Sequence, residues 1–445
     1  MYRIGQEELD EIAKVFATKQ LFRVPDPMQA TPHLGECSRF EEEWAHKIGT
    51  KYALLMCGGG TAALACALAG IGIGPGDEVL VPAYTWMATA TSVLAVGGIP
   101  VLTEVDETLT MDPADVERKV APQTKAIIPV HMIGRPAHME RLCAVARKHG
   151  LKVVEDSCQC DGGSFQGRRT GSWGDVGAFS FNYFKIISTG GEGGCLVTND
   201  RKIYETAFIY HDSGSAFRPK AAEMSVPIFV AHQFRADEVL GALGRAQMAR
   251  LDGILADLRR NRKRFEAELD GVGCLRVAPN NDAEGDCGVG VLFRFEEEAR
   301  AAAFAKVLGP NCGYHCIDHN KHVYTNWTPL RQKRASHHPD MNPFNFAKNL
   351  GLRMDYSEQA CPKTLDLLRR SYCYLINPDW TEAEITQRIA DCRKAATQIL
   401  NTATNNKGTS SCPVNFVFPS ALGTSTKGRI RSAPKCAAAS RSTGS

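Results

Sequence analysis

Short apolar runs at 52–57, 78–81, 101–105, 126–130, 152–155, 176–181 and 195–198 are separated mostly by segments long enough for helices. Runs of that length, bounded by Gly, Pro and Asn, read as buried strands. Between them the rhythm changes. Residues 139–148 (M-E-R-L-C-A-V-A-R-K) form an amphipathic stretch ended by Gly150, as a helix closed by a C-terminal glycine should be. Strands alternating with helices predict a mostly parallel sheet covered on both faces, an α/β domain of about 200 residues on the usual domain scale.

The flanking segments differ. Residues 1–30 read as a helical lead-in, and Glu41, Glu42 and Glu43 as a solvated helix face before Trp44. Residues 236–269 carry Leu240, Leu243, Met248, Leu251, Ile254 and Leu258 along one helical face, and the run Arg259-Arg260-Asn261-Arg262-Lys263-Arg264 reads as the solvated side of that helix. Then follow an expected strand at 288–295, a helix at 296–307, an irregular stretch rich in His and Asn, and a helix at 381–400. The predicted organisation is therefore a lead-in (1–30), a large domain (31–250), a smaller C-terminal α/β domain (251–400) and a disordered basic tail (401–445).

Composition narrows the class. The chain has 445 residues, 44% apolar and 23% charged, as expected for a soluble globular protein. Its net charge of +3 is carried by the tail, where Lys407, Lys427, Arg429, Arg431, Lys435 and Arg441 face no acidic residue. The remainder is net acidic, which argues against a nucleic-acid-binding face. Sixteen dispersed cysteines, including Cys57 and Cys195 in strand-like runs, and an acidic start without an apolar export segment point to free thiols in the cytoplasm. The longest uncharged run, 79–102, is cut by Pro82, Gly97, Gly98 and Pro100 into strand, helix and strand, so no membrane span is expected.

The chemistry concentrates at strand ends, where open α/β sheets bind ligands. Lys185 sits among Phe181, Tyr183, Phe184, Ile186 and Ile187, a setting that desolvates an amine and favours its nucleophilic form. It reads as a lysine that forms a Schiff base with pyridoxal phosphate, or as one that snorkels from a strand end. Gly58-Gly59-Gly60-Thr61 opens a helix and offers free amides to a phosphate, or is simply a tight turn. It matches neither the dinucleotide fingerprint nor a P-loop. Trp86 is a ring-stacking candidate or a core aromatic. Asp156 is a buried acid facing a cofactor's ring nitrogen, or a salt-bridged cap. Ser180 adds a hydroxyl. Phosphate loop, aromatic, acid, serine and lysine follow one another in the order that pyridoxal phosphate requires.

The motifs G-G-T-A-A-L (59–64), P-G-D-E-V-L-V-P-A-Y-T-W-M-A-T-A (75–90), T-K-A-I-I-P-V-H-M-I-G (124–134), V-V-E-D-S-C-Q (153–159), G-D-V-G-A-F-S-F-N-Y-F-K (174–185) and E-G-G-C-L-V-T-N-D (192–200) resemble the DegT/StrS-type sugar aminotransferases from about residue 10 to 400. The resemblance implies the pyridoxal-phosphate-dependent transferase fold of type I and a homodimer. It also implies transfer of an amino group from glutamate or glutamine to a keto sugar in amino-sugar biosynthesis. Lys185 would bind the cofactor aldehyde, Asp156 its ring nitrogen, Gln159 its ring hydroxyl and Trp86 its face, with Gly60, Thr61 and Ser180 around the phosphate. Gln233 stands where the neighbouring subunit usually contributes an asparagine to that phosphate, and Asp161 and Ser213 where histidines are frequent. The stretches 312–316, 322–327 and 361–364 are similar to a subgroup that aminates 8-amino-3,8-dideoxy-octulosonate precursors. Cys312, His315, Cys316, His319 and His322 lack standard zinc spacing, so no metal is expected. Two other activities stay open: sugar dehydration, for which a histidine typically replaces the lysine, and non-catalytic regulation on the same fold.

Overall fold

The computed structural model describes residues 3–219 and 221–407, with side chains as far as 400. Residues Met1–Thr402 form one compact unit. Beyond residue 407 the expected tail lies outside the described residues.

Two helices, α1 (Gln6–Thr18) and α2 (Glu36–Ile48), precede the alternating region. That region runs β1 (Tyr52–Met56), α3 (Gly59–Gly70), β2 (Glu78–Pro82), α4 (Ala88–Ala95), β3 (Ile99–Thr103), α5 (Pro113–Lys119), β4 (Thr124–Ile127), α6 (Met139–His149) and β5 (Lys152–Asp156). A short hairpin, β6 (Ser164–Phe165) and β7 (Arg168–Arg169), leads to β8 (Val176–Ser180), β9 (Gly194–Thr198) and α7 (Arg201–His211). Every strand expected between 52 and 198 is present, shifted by a few residues at most, and the 79–102 run folds as strand, helix and strand. No helix among the described residues is long and apolar enough to cross a membrane.

The seven-stranded sheet has the order β1-β9-β8-β5-β4-β2-β3. Only β9 runs against its neighbours, β1 and β8, so the other six strands point the same way. Their carboxyl ends, including Met56, Pro82, Asp156 and Ser180, therefore lie along one edge. Helix starts are capped from the sequence: the Asp200 side chain accepts from the amides of Lys202 and Ile203 at the start of α7, and Gly150, with φ of 66°, closes α6.

The long helix α8 (Glu238–Leu269) packs against α1 and α2 and also against the second sheet. The expected boundary at 250 falls inside it. The second sheet, of order β10-β11-β13-β12, is antiparallel throughout and is built from β10 (Arg276–Val277), β11 (Gly290–Arg294), β12 (Gly313–His315) and β13 (Ser371–Leu375). Its helices are α9 (Glu298–Leu308), α10 (Thr328–Arg331), α11 (Pro362–Arg369) and α12 (Glu382–Lys407).

Two stretches expected to be solvated are partly buried. Glu41 accepts from the Leu55 amide at 2.6 Å and from Arg23 at 2.6 and 2.7 Å, because α2 lies directly across β1 and needs an acceptor where the strand's amide is unpaired. Arg262 is buried, bonded to Glu266 at 2.8 Å and to the Ala283 carbonyl at 2.5 Å, because the 280s loop folds over α8. In both cases only a contact distant in sequence turns a charged helix position inward.

The sheet face beneath α2 is anchored by Trp44. Its ring meets Phe179 and Phe181 edge-on at 5.1 and 5.2 Å and stacks on Phe40 at 6.0 Å. Phe181 sits just beyond β8 at the start of the Lys185 loop, so this packing fixes where the loop begins. Trp44→Ala should lower stability by about 3–5 kcal/mol, seen as a lower urea midpoint with an unchanged slope.

Candidate active site

β5 turns its last two side chains to opposite faces, as strand pleating requires. Glu155 points inward, accepting from the Gly171 and Gly174 amides at 2.8 and 2.7 Å and facing His131 Nε2 at 3.1 Å. Since His131 Nδ1 accepts from the Ala137 amide at 3.0 Å, its proton sits on Nε2 and is donated to Glu155. Glu155 is thus satisfied. Asp156 points toward the other face, buried, with Oδ2 accepting from Thr89 Oγ1 at 2.7 Å and Oδ1 from the Cys158 amide at 3.2 Å. Thr85 Oγ1 lies 2.7 Å from Thr89 Oγ1, so two hydroxyls from the β2–α4 turn steady one carboxylate.

Helix α3 begins beside it. Gly58 caps the helix without any side-chain bond, so the first amides of α3 are open to an anion. Gly60 is needed for space: a Cβ there would come within 2.6 Å of Cys158 Sγ and 2.9 Å of Ser180 Cβ. Ser180, buried at the end of β8, forms the other side of this cradle. Thr61 is exposed in the first turn of α3.

Lys185 lies in the loop joining β8 to β9. The loop is closed by backbone bonds from Phe181 to Gly193 (2.7 Å), Tyr183 to Gly191 (3.0 Å) and Thr189 to Phe181 (3.1 Å). Lys185 is half-buried, and its amine is within electrostatic reach of Cys158, Asp161 and His322. The apolar wrapping expected from sequence is one-sided. Phe181, Ile186 and Ile187 are buried, but Tyr183 and Phe184 are 51% and 82% exposed, because they occupy the outward tip of the loop.

Gln159 and Trp86 complete the group. Gln159 Oε1 accepts from the Ile133 amide at 3.0 Å, and its Nε2 lies 3.4 Å from His322 Nε2. The Trp86 ring is partly exposed and meets His322 edge-on at 5.7 Å, with Lys321 Nζ 5.8 Å from its centre. Gln233 stands apart. It is exposed, its Oε1 accepts from the Arg235 amide at 3.2 Å, and among the described residues it bonds to none of the other candidate side chains.

The structure also brings in residues that the sequence did not assign to the site. His322 arrives from the irregular His-rich stretch because 322–324 pairs with the end of β2: the Thr85 amide donates to the His322 carbonyl at 3.0 Å and the Tyr324 amide to Ala83 at 3.2 Å. Its imidazole is pushed down to a pKa of about 2 by burial and by His319, Lys185 and Lys321, and His319 is pushed down to about 4 by burial and Lys321. Asp161 is fully buried with both carboxyl oxygens unbonded, and burial raises its pKa well above the usual carboxylate range, Lys185 opposing. The His cluster was visible as a cluster, but nothing local said that it reached this edge. Among the described residues no group of three or more His, Cys, Asp or Glu is arranged to hold a metal ion.

These residues fit pyridoxal phosphate on three observations. A cradle beside open helix amides closes if Gly60 gains a Cβ, a buried acid has two neutral donors and, among the described residues, no cation, and a half-buried amine lies within electrostatic reach of Cys158, which walls that cradle.

Two outcomes follow. Thr89→Val removes a neutral donor to a carboxylate and should lower the stability of the cofactor-free protein by about 1–3 kcal/mol, read as a urea midpoint. His319 and His322 stay neutral in the fold while the unfolded chain takes up protons below about pH 6.5. Stability should therefore fall as pH drops from about 6.5 to 4, and His322→Gln should flatten that slope.

Residues 28–312 match the DegT/DnrJ/EryC1/StrS aminotransferase family. GDP-perosamine synthase of Caulobacter vibrioides is 40% identical over 235 residues, 53% of this chain and 62% of that protein. The dTDP-3-amino-3,4,6-trideoxy-alpha-D-glucose transaminase of Streptomyces venezuelae is 38% identical over 251 residues, 56% of this chain and 64% of that protein. The chain thus spans less than two thirds of the length of each of these relatives. The crystal structure of S. venezuelae DesV in complex with a ketimine intermediate superposes with a TM-score of 0.71 at 28% identity, covering 88% of this chain and 94% of that one. The α/β architecture is the one those aminotransferases share, and the matched span includes α3, β5 and the Lys185 loop. This chain belongs to the DegT/DnrJ/EryC1/StrS aminotransferase family.

Proposed function

We propose that this protein is a pyridoxal-phosphate-dependent aminotransferase that moves an amino group from glutamate or glutamine to a keto sugar. The observation that carries the reading is the convergence of a half-buried lysine, a buried unpaired carboxylate and an open helix N-terminus on one edge of the sheet. Bound there, the cofactor would supply an aldehyde for imine chemistry and a ring that withdraws electrons from the substrate carbon. Asp156, held in place by Thr89 and Thr85, would be the group to face the ring nitrogen. The amides opening α3, with Ser180 and Thr61, take the phosphate. Lys185 Nζ accepts a proton from the substrate carbon and returns it one atom away. Trp86 covers the reacting face and excludes water.

A second copy of the chain completes this reading. Tyr183 and Phe184 are exposed beside Lys185, and Phe217, Ile228, Phe229 and Val230 are exposed on the segment leading to Gln233. A homodimer would cover these apolar groups and bring Gln233 to the partner's phosphate cradle.

The test is optical. Protein loaded with pyridoxal phosphate should show a visible band that moves on adding glutamate or glutamine, and Lys185→Ala should lose both the band and turnover of keto sugars. A wild-type band indifferent to every amino donor would sink the proposal.

A further inference from the structure

The histidine stack that reaches the site from the second sheet has an internal polarity that its neighbours dictate. Gln159 Oε1 is committed to the Ile133 amide at 3.0 Å, so the amide's NH2 end must face His322 Nε2 at 3.4 Å. An NH2 group only donates, so His322 Nε2 accepts and carries no hydrogen. The ring is neutral, so its proton sits on Nδ1, which faces His319 Nδ1 in direct contact. His319 Nδ1 therefore accepts, leaving its own proton on Nε2. Behind it the His319 ring stacks on Tyr314 of β12 at 4.0 Å and 16°, while its plane lies only 21° from that of His322, with ring centres 4.2 Å apart, so the Nδ1 contact runs close to both ring planes. On its other side His322 meets Trp86 edge-on.

Each link is directional, and the chain begins at a backbone amide that cannot reverse. Among the described residues the charged or titratable groups around His322 are Tyr84, His319, Lys185 and Lys321; the last three disfavour a proton on it, and the Tyr84 phenol, edge-on at 6.3 Å, is held neutral by burial. A protonated His322 would also aim Nε2–H at the Gln159 NH2, two donors face to face. The neutral ring with a bare Nε2 is thus the form that both the charges and the hydrogen bonds select.

We propose that His322, backed by His319 and Tyr314, is a positioning residue that locks the Gln159 amide with one N–H directed into the cofactor site and buttresses the Trp86 ring beside it. This rests on the functional reading above only in what the free N–H meets, the ring hydroxyl of pyridoxal phosphate. The His–Gln polarity itself is a property of the protein alone. The arrangement also couples the second sheet to cofactor binding, since Tyr314 and His319 carry the stack.

Two measurements test it. In protein labelled with 15N-histidine and free of cofactor, His322 should show a protonated Nδ1 and a bare Nε2 at neutral pH. The opposite tautomer, or a charged ring, overturns the proposal whether or not the functional reading stands. In the second, pyridoxal phosphate is titrated into the cofactor-free protein. His322→Phe, which fills the space without an acceptor, should weaken binding about tenfold, and His322→Asn, too short to reach Gln159, should do the same if the Phe variant folds poorly. His322→Gln keeps an acceptor at the right distance and should stay within about threefold of wild type. In a Gln159→Leu background the His322→Phe loss should disappear, because the two residues act as one unit. Wild-type affinity in the acceptor-free variants, or an undiminished loss in the Gln159→Leu background, overturns the role given to His322. Absence of any binding to wild type overturns the functional reading instead.

Discussion

A carboxylate held out of water with hydroxyl and amide donors but, among the described residues, no cation is the condition around which this site is arranged. Asp156 receives a threonine hydroxyl and a backbone amide, which suffice to orient it but not to repay the loss of hydration of a full charge. Such a group is tolerated when a positively charged partner completes it. Along the same edge of the sheet lie the N-terminus of α3, without a side-chain cap, and the loop that carries the Lys185 amine.

The two acids ending β5 show how close structure and chemistry lie. Glu155 has two amides and a histidine N–H and needs nothing more; it ties the loop around Gly171 to the strand. Asp156, one residue later, faces the other way and keeps an open side. Strand pleating alone separates the acid with a full set of donors from the one that keeps an open side.

The site also draws on parts of the chain far apart in sequence. The 322–324 segment adds a short antiparallel bridge to the end of β2, and that pairing carries His322 to Gln159 and Trp86. Meanwhile Tyr183 and Phe184, in the loop that carries Lys185, are exposed, as are Ile228, Phe229 and Val230.

Much of this was readable from residue order. Periodicity placed the strands of the main sheet because buried parallel strands are continuous apolar runs, and local rules placed the helix ends at Gly150 and Asp200. The positions of Gly60, Trp86, Asp156, Gln159, Ser180 and Lys185 along the sheet edge were readable because each falls near the end of a strand, a position that the strand pattern itself defines. What tertiary structure decided is every property that depends on what a residue meets across the fold. Glu41 and Arg262 lie on helix positions that look solvated and are buried by β1 and by the 280s loop. Tyr183 and Phe184 look like the wall of a lysine pocket and point outward. The polarity of Gln159 and His322 comes from the Ile133 amide, which no periodicity links to either. Local sequence sets backbone direction and side-chain alternation; the partner of a buried polar group, and hence its charge and tautomer, exists only once distant segments have packed.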